Sequence, residues 1–141
     1  MLFATASRDK TVAVWDAGAV LAAGAAAGSP PSTELAGDGD EEAVVAVEPV
    51  ARLPKFKAAV TAVAFAPRAD PTGNRLLAVG LETGAVMLYV SGPEGDNGWE
   101  MAAEAAPSGA HTRAVRRIGW RGPGLLASCA DDHTVRIFEV K

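Results

Sequence analysis

Three side chains near the end of the chain have the types that a hydrolytic triad needs. They are His111, Ser128 and Asp132. An imidazole held between a hydroxyl and a carboxylate can take the hydroxyl proton and create a nucleophile. A catalytic serine is often exposed by a Gly-x-Ser-x-Gly elbow, and the sequence around Ser128 lacks that motif. A small serine hydrolase that uses Ser128 is therefore one hypothesis, and a structural role for the three residues is the other.

Four arginines form a second group of interest, because a guanidinium can bind a carboxylate or a phosphate through two parallel hydrogen bonds. These candidate partner-binding residues are Arg113, Arg116, Arg117 and Arg121. They lie on and beside a predicted strand whose apolar residues, Val115, Ile118 and Trp120, would face a neighbouring packing layer. The arginines would then point away from it, either as a partner surface or as an ordinary charged face.

Other polar clusters give weaker signals. Four carboxylates crowd together and are conceivable as a calcium site, since hard cations prefer several oxygens. They are Asp38, Asp40, Glu41 and Glu42. Their spacing matches no EF-hand loop, so a solvated acidic loop is predicted. Neither histidine lies in a Cys/His cluster, and no glycine motif fits a phosphate. The sequence therefore predicts no metal and no cofactor.

A pattern repeated three times indicates which elements position these side chains. Residues 3–16 and 126–139 both read apolar, Ala, Ser or Thr, a small residue, a polar turn, then Thr-Val-x-aliphatic-aromatic-acid, and residues 77–90 fit the same frame. Each copy predicts a hairpin of two short strands. A further strand signal precedes two copies, and outer strands are predicted near residues 44–53 and 99–104. Four antiparallel strands per repeat are typical of a β-propeller blade.

The end of the first copy, residues 7–16, resembles the Trp-Asp end of a WD40 repeat. Residues 130–139 resemble it too, with Phe-Glu in the place of Trp-Asp, and His111 lies where that family usually has Gly-His. The implied fold class is all-β, a partial WD40 β-propeller of about two and a half blades of four-stranded antiparallel sheet.

The predicted organisation follows from the repeat positions. Residues 1–16 and 43–56 form a partial first blade with strands two to four, and residues 57–106 form a second blade. Residues 107–141 form a third blade without its outer strand. Residues 17–42 are rich in Ala, Gly, Pro and Ser and end acidic, which predicts a disordered low-complexity insertion in the first blade.

The WD40 resemblance also implies a structural role for the polar residues. In that family a His before the first strand, a Ser or Thr in the second strand and an Asp in the tight turn form a buried polar network. Such a network is stable only when each member is satisfied. The implied members are His111, Ser128 and Asp132 in the last unit, and Thr5, Asp9 and Trp15 in the first. The middle unit has Val79, Thr83 and Tyr89 at these places, so packing should hold it together.

A narrower resemblance covers the last two units, which are similar to the C-terminal end of the family of second subunits of the Elongator complex. Val-Gly-Leu-Glu-x-Gly at residues 79–84 and Ser-Cys-x-x-Asp-His-Thr-Val at residues 128–135 carry it. The resemblance implies a non-catalytic scaffold in the assembly that modifies wobble uridine of tRNA. It implies as partners a large scaffold subunit and a radical-SAM catalytic subunit, with any tRNA contact indirect. The implied location is the cytoplasm, with the nucleus left open.

Composition agrees with a binding module. The 141 residues, 49% of them hydrophobic, can bury one core, although a whole propeller needs more. The net charge of −4 argues against a domain that coats nucleic acid. The lone Cys129 cannot form an internal disulfide and fits a reducing compartment. The apolar run 17–28 is shorter than the about 20 residues that span a bilayer, so no membrane contact is predicted. A WD40 adaptor of another complex, such as a ubiquitin ligase receptor, is the alternative function.

Overall fold

The structure is a computed structural model that describes residues 1–26, 47–92, 98–105 and 110–141. Within these ranges the chain forms short strands and one helix, α1 (Ala17–Ala26). The first sheet contains β1 (Leu2–Ala6), β2 (Val12–Asp16) and β3 (Ala51–Arg52). The second sheet contains β4 (Val60–Phe65), β5 (Arg75–Leu81), β6 (Val86–Ser91) and β7 (Trp99–Glu104). The third sheet contains β8 (Val115–Arg121), β9 (Leu125–Ala130) and β10 (Val135–Glu139).

Each sheet is an antiparallel meander, because every strand pairs with its neighbour in the chain. The second sheet has four strands in the order β4-β5-β6-β7, and the other two have three strands each. The predicted all-β fold, a partial WD40 propeller, is thereby confirmed. The outer strand expected near residues 44–53 is present as the two-residue β3, and the one expected near 99–104 is β7.

The three repeats share one turn geometry. At the same position of each tight turn, one residue has a positive φ angle: Lys10 (73°), Gly84 (95°) and His133 (62°). In each copy the N–H of this residue donates to the carbonyl three residues earlier, at 3.2, 3.0 and 3.2 Å respectively. The backbone therefore repeats even where the sequence does not, since a lysine and a histidine adopt the conformation that favours glycine.

Two apolar clusters fill the spaces between successive sheets. The larger joins the first and second sheets, and Val12, Val14, Leu77 and Val79 in it are fully buried. The smaller joins the second and third sheets around Val86, Val115 and Leu126. Burying these side chains removes apolar surface from water, which is the main force that holds stacked sheets together.

The far face of the third sheet remains uncovered. Val135 and Ile137 of β10 are each 69% exposed. In the repeat frame they correspond to Val12 and Val14 of β2, whose side chains are 0% exposed. The same apolar pattern is thus buried in the first sheet and open to solvent in the third.

The prediction of disorder from residue 17 onward was wrong for its first ten residues. Residues 17–26 form α1, and alanine, their commonest residue, has the highest intrinsic helix propensity. Asp16 caps the helix, since its Oδ1 accepts the N–H of Gly18 at 2.8 Å. Residues 27–42 of the predicted insertion, including the four clustered carboxylates, lie outside the described residues. No helix in the described part of the chain is long and apolar enough to cross a membrane.

The approach of the second sheet to the third leaves no room for a side chain at Gly84. A Cβ added there would lie 2.0 Å from the backbone O of His111. We expect Gly84→Ala to lower the free energy of unfolding by at least about 3 kcal/mol, from left-handed strain and overpacking together. Chemical denaturation monitored by circular dichroism measures this loss.

Gly122→Ala is the matched control, since Gly122 has φ 64° but no non-adjacent atom of the described residues lies within 4 Å of an added Cβ. It should cost only the conformational strain of about 1–2 kcal/mol. Equal losses for the two variants would show that the contact with His111 imposes no constraint.

Candidate functional site

A buried polar network occupies the third sheet at its tight turn. His111 is 3% exposed and Ser128 is 2% exposed. The Nε2 atom of His111 lies 2.7 Å from Ser128 Oγ, and its Nδ1 atom lies 3.1 Å from both carboxylate oxygens of Asp132. A neutral imidazole is satisfied here when Nδ1–H donates to the carboxylate and Nε2 accepts the serine proton. The structure therefore brings together the three residues that the sequence singled out.

Two threonines complete this network. Asp132 Oδ1 accepts the N–H and the hydroxyl of Thr134, at 3.1 and 2.7 Å, and Oδ2 accepts the N–H of Thr112 at 3.0 Å. The Thr134 hydroxyl also lies 3.0 Å from His111 Nδ1. Neither threonine is among the network members predicted from the sequence, although the Thr-Val that follows the turn in the first and third repeats was a usable signal for Thr134. The carboxylate thus ties the turn to the loop that precedes β8.

These hydrogen bonds change the pKa of the Asp132 carboxyl group. The Thr134 hydroxyl, followed by the backbone N–H groups of Thr112 and Thr134 and by His111, lowers the pKa of Asp132 far below its ordinary value of 3.8. Partial burial acts in the opposite direction and is outweighed. Asp132 is therefore ionised at neutral pH and acts as a hydrogen-bond acceptor.

The geometry resembles a hydrolytic triad, but its surroundings differ from those of one. Ser128 and His111 are closed off from solvent, so a substrate has no route to the serine oxygen. Phe138 takes the place of the tryptophan of a WD40 repeat and packs at the interface with the second sheet. The arrangement satisfies buried polar groups and fastens the first strand of the sheet to its turn.

In the first sheet the corresponding residues form two separate sets of contacts. Trp15 Nε1 donates to Thr5 Oγ1 at 2.9 Å. Asp9 accepts the N–H of Thr11 at 3.0 Å and also its hydroxyl proton. Phe3 stacks on Trp15 with a centroid distance of 6.3 Å. Asp9 thus fixes the turn and Thr5 the strand pair, and the expectation of one buried network of Thr5, Asp9 and Trp15 was wrong, because Thr5 and Asp9 are exposed and their hydrogen bonds are not connected.

In the second sheet an aromatic residue occupies the histidine position. The Phe56 N–H donates to Lys10 O at 2.9 Å, and the His111 N–H donates to Gly84 O at 3.0 Å. Because Lys10 and Gly84 are equivalent turn residues, Phe56 and His111 are equivalent as well. No local sequence signal identified Phe56 as a member of this site.

Apolar packing replaces the polar network there, as predicted. Phe56 meets Tyr89 edge to face, with a centroid distance of 5.8 Å and an angle of 74°. Val79, which stands in the serine position, is completely buried in the larger apolar cluster. Burial also raises the pKa of Tyr89.

The four arginines do not form one patch. Arg116 makes a two-fold hydrogen-bonded ion pair with Asp131 at the turn end of β8, and Arg113 lies near the same carboxylate. Arg121 pairs in register with Leu125 at the opposite end of the strand, about 17 Å from Arg116 at the usual rise per residue. All four candidates are exposed, as predicted, but only Arg113 and Arg116 are brought together.

The strand that carries the arginines turns its apolar residues inward. Val115 is fully buried, and Ile118 and Trp120 pack against the second sheet. Trp120 Nε1 also donates to the backbone O of Ala64 on β4 at 3.0 Å. The predicted division of this strand into an apolar face and a charged face is therefore present.

A family description reading "WD domain, G-beta repeat" matches residues 1–16 and 108–139. These are the segments that form β1 and β2 and nearly all of the third blade, where the repeat polar residues lie. The chain belongs to the WD40-repeat family. The matched segments exclude the second blade, whose turn network is replaced by apolar packing.

Curated relatives place this WD40 chain more narrowly. It is 32% identical to Elongator complex protein 2 of Homo sapiens over 98% of the chain, and 31% identical to that of Dictyostelium discoideum over 99%. It is 29% identical to Elongator complex protein 2 of Arabidopsis thaliana over 99% of the chain. The aligned part is only 17%, 15% and 15% of these relatives. The chain thus spans less than a fifth of their length.

Removing the serine of the network should destabilise the third blade. Ser128→Ala leaves His111 Nε2 buried without its partner, which costs about 1–3 kcal/mol of unfolding free energy. Ser128→Thr should restore most of this loss, because Thr5 occupies the equivalent position in the first blade. Denaturant titration of the three proteins gives the comparison.

Ser91→Ala is the control for this prediction. Ser91 is equally buried at 2%, but its hydroxyl contacts only the neighbouring Gly92 O at 3.4 Å among the described residues. Its replacement should cost less than about 1 kcal/mol. A Ser128→Ala loss no larger than this would show that the histidine does not depend on the serine.

Acid should weaken the same blade through Asp132. The carboxyl has a lower pKa in the folded chain than in the unfolded chain, so its contribution to stability is complete above about pH 4. The contribution is lost as the pH falls below 4 toward the folded pKa. The free energy of unfolding should therefore fall more steeply below pH 4 in the wild type than in Asp132→Asn. Parallel curves in a denaturant series from pH 2.5 to 7 would contradict this.

Proposed function

We propose that this chain is a scaffold segment of an Elongator-type complex and, through that complex, supports the modification of wobble uridine in tRNA. The observation that carries the proposal is the similarity to Elongator complex protein 2 along nearly the whole chain, at 29–32% identity in three distant organisms. The WD40 fold supports it, because stacked blades offer broad surfaces to other proteins.

The proposed role is non-catalytic. The only side chains predicted to form a triad serve as internal hydrogen-bond partners, and His111 and Ser128 are closed to solvent. Among the described residues no group of three or more His, Cys, Asp or Glu side chains is placed to bind a metal ion. The chain would therefore contribute by holding other subunits in place.

The proposed partners are the large scaffold subunit and the radical-SAM catalytic subunit of Elongator. Contact with tRNA would be indirect, since the net charge of −4 gives no general attraction for a polyanion. We propose that the chain works in the cytoplasm, and the same complex can carry it into the nucleus.

Affinity purification from the source organism tests this function. The chain, tagged at its genomic locus, should recover the other Elongator subunits in a mass-spectrometric survey, and its deletion should lower wobble-uridine modification in total tRNA. Val14→Asp is a suitable negative control, because Val14 is 0% exposed and a buried charge there should unfold the first blade. Recovery of ubiquitin ligase subunits in place of Elongator would favour the adaptor alternative.

A further inference from the structure

We propose that one edge of this molecule binds an extended acidic peptide segment of a partner protein. The edge, here named the turn edge, is formed by the three tight turns and by the loops that precede β4 and β8. It comprises residues 7–11, 54–59, 81–85, 110–114 and 130–134. The inference rests on the proposed scaffold function and specifies the chemistry of one partner.

Backbone hydrogen bonds join these turns and loops into a continuous rim. In two of these bonds the N–H groups of Phe56 and Glu82 donate to the carbonyl oxygens of Lys10 and Ala59, each at 2.9 Å. In the other two the N–H groups of His111 and Asp131 donate to the carbonyl oxygens of Gly84 and Ala114, each at 3.0 Å. Each loop is thus bonded to the turn of the preceding sheet and to the turn of its own sheet. Side chains on the rim are therefore held at fixed positions relative to one another.

Exposed cations are concentrated on the turn edge. They are Arg8, Lys10, Lys55, Lys57 and Arg113, and Arg116 lies directly beyond the edge in β8. Of these, Arg116 is engaged by Asp131 in an ion pair. In the described part of the chain no salt bridge involves Arg8, Lys10, Lys57 or Arg113. These four side chains can turn toward a ligand without breaking an internal contact.

The acids of the edge are largely occupied by internal donors. Asp9 accepts hydrogen bonds from Thr11, which together with the Ser7 hydroxyl lower its pKa. Asp132 is surrounded by donors from both sides of its turn, and Asp131 is held by Arg116. An approaching anion therefore meets free cations and carboxylates that are already neutralised or hydrogen-bonded.

One acid distinguishes a peptide from a nucleic acid as the ligand. Glu82 is exposed at the middle turn, between the cations of the first and third turns. A continuous polyanion would be repelled there, and the net charge of −4 adds to that repulsion. A peptide can place carboxylates on either side of Glu82 and leave an uncharged residue opposite it.

The size of the molecule sets the spacing of those carboxylates. Stacked sheets lie about 10 Å apart and an extended chain rises about 3.3 Å per residue. The first and third turns are separated by two such steps, which corresponds to about six residues of extended peptide. The fitting ligand therefore has two acidic groups about six residues apart, one facing Lys10 and Lys57 and the other facing Arg113.

A direct titration with synthetic peptides tests the proposal. The peptide has two Glu-Glu pairs separated by four serines, and its binding to the purified full chain is followed by fluorescence anisotropy. Lys57→Glu combined with Arg113→Glu should weaken binding by about tenfold or more, since like charges then oppose the ligand. Arg68→Glu combined with Arg75→Glu is the matched control. Both of its residues are exposed beside the β4–β5 loop, at the other end of the second sheet, and it should change the affinity by less than about twofold.

Three results would overturn the proposal: no binding to the wild-type chain, equal weakening in both double variants, or tighter binding of a single-stranded RNA of the same net charge. Thermal melts of each variant exclude unfolding as the cause. The outcome is independent of Elongator assembly, because assembly is judged by co-purified subunits. A chain that assembles with the other Elongator subunits but does not bind the peptide would contradict only the turn-edge inference.

Discussion

The contact between each tight turn and the next loop is the constraint on which the rest of this structure depends. The loop before a sheet donates a backbone N–H to the left-handed residue of the preceding turn, at Lys10 and again at Gly84. This bond fixes how closely one sheet approaches the next. The two apolar clusters and the continuous rim of turns both require that distance to be kept.

The chain meets this constraint in two chemically different ways. In the third blade the loop residue is His111, and its polar ring requires a serine, an aspartate and two threonines around it. In the second blade the loop residue is Phe56, which needs only the edge of Tyr89 and the walls of the apolar cluster. A fully satisfied polar network fixes one arrangement, whereas apolar packing depends mainly on shape and volume. One backbone geometry thus supports both solutions.

Sequence reasoning predicted the features that repeat. The three hairpins and the order of the strands follow from a pattern that occurs more than once, whereas the meeting of His111 with Ser128 and Asp132 is what the WD40 resemblance implies. Features that occur once were missed, because nothing in the local sequence specifies them. The role of Phe56 depends on a partner turn about 45 residues away, a long-range contact that local patterns do not encode. Helix α1 was missed because its residues are small and apolar on all sides, so it has no amphipathic face to detect.

The unequal size of the two apolar clusters has a consequence for how the molecule comes apart. Among the described residues, eleven buried ones join the first two blades, but only three join the second to the third. Two hydrogen bonds also attach the last blade to the second, from the His111 N–H to Gly84 O and from Trp120 Nε1 to Ala64 O. The chain therefore divides into two cooperative units of unequal strength. We expect amide hydrogens of the last blade to exchange with solvent through partial opening, whereas those of β2 and β5 should exchange only when the whole chain unfolds.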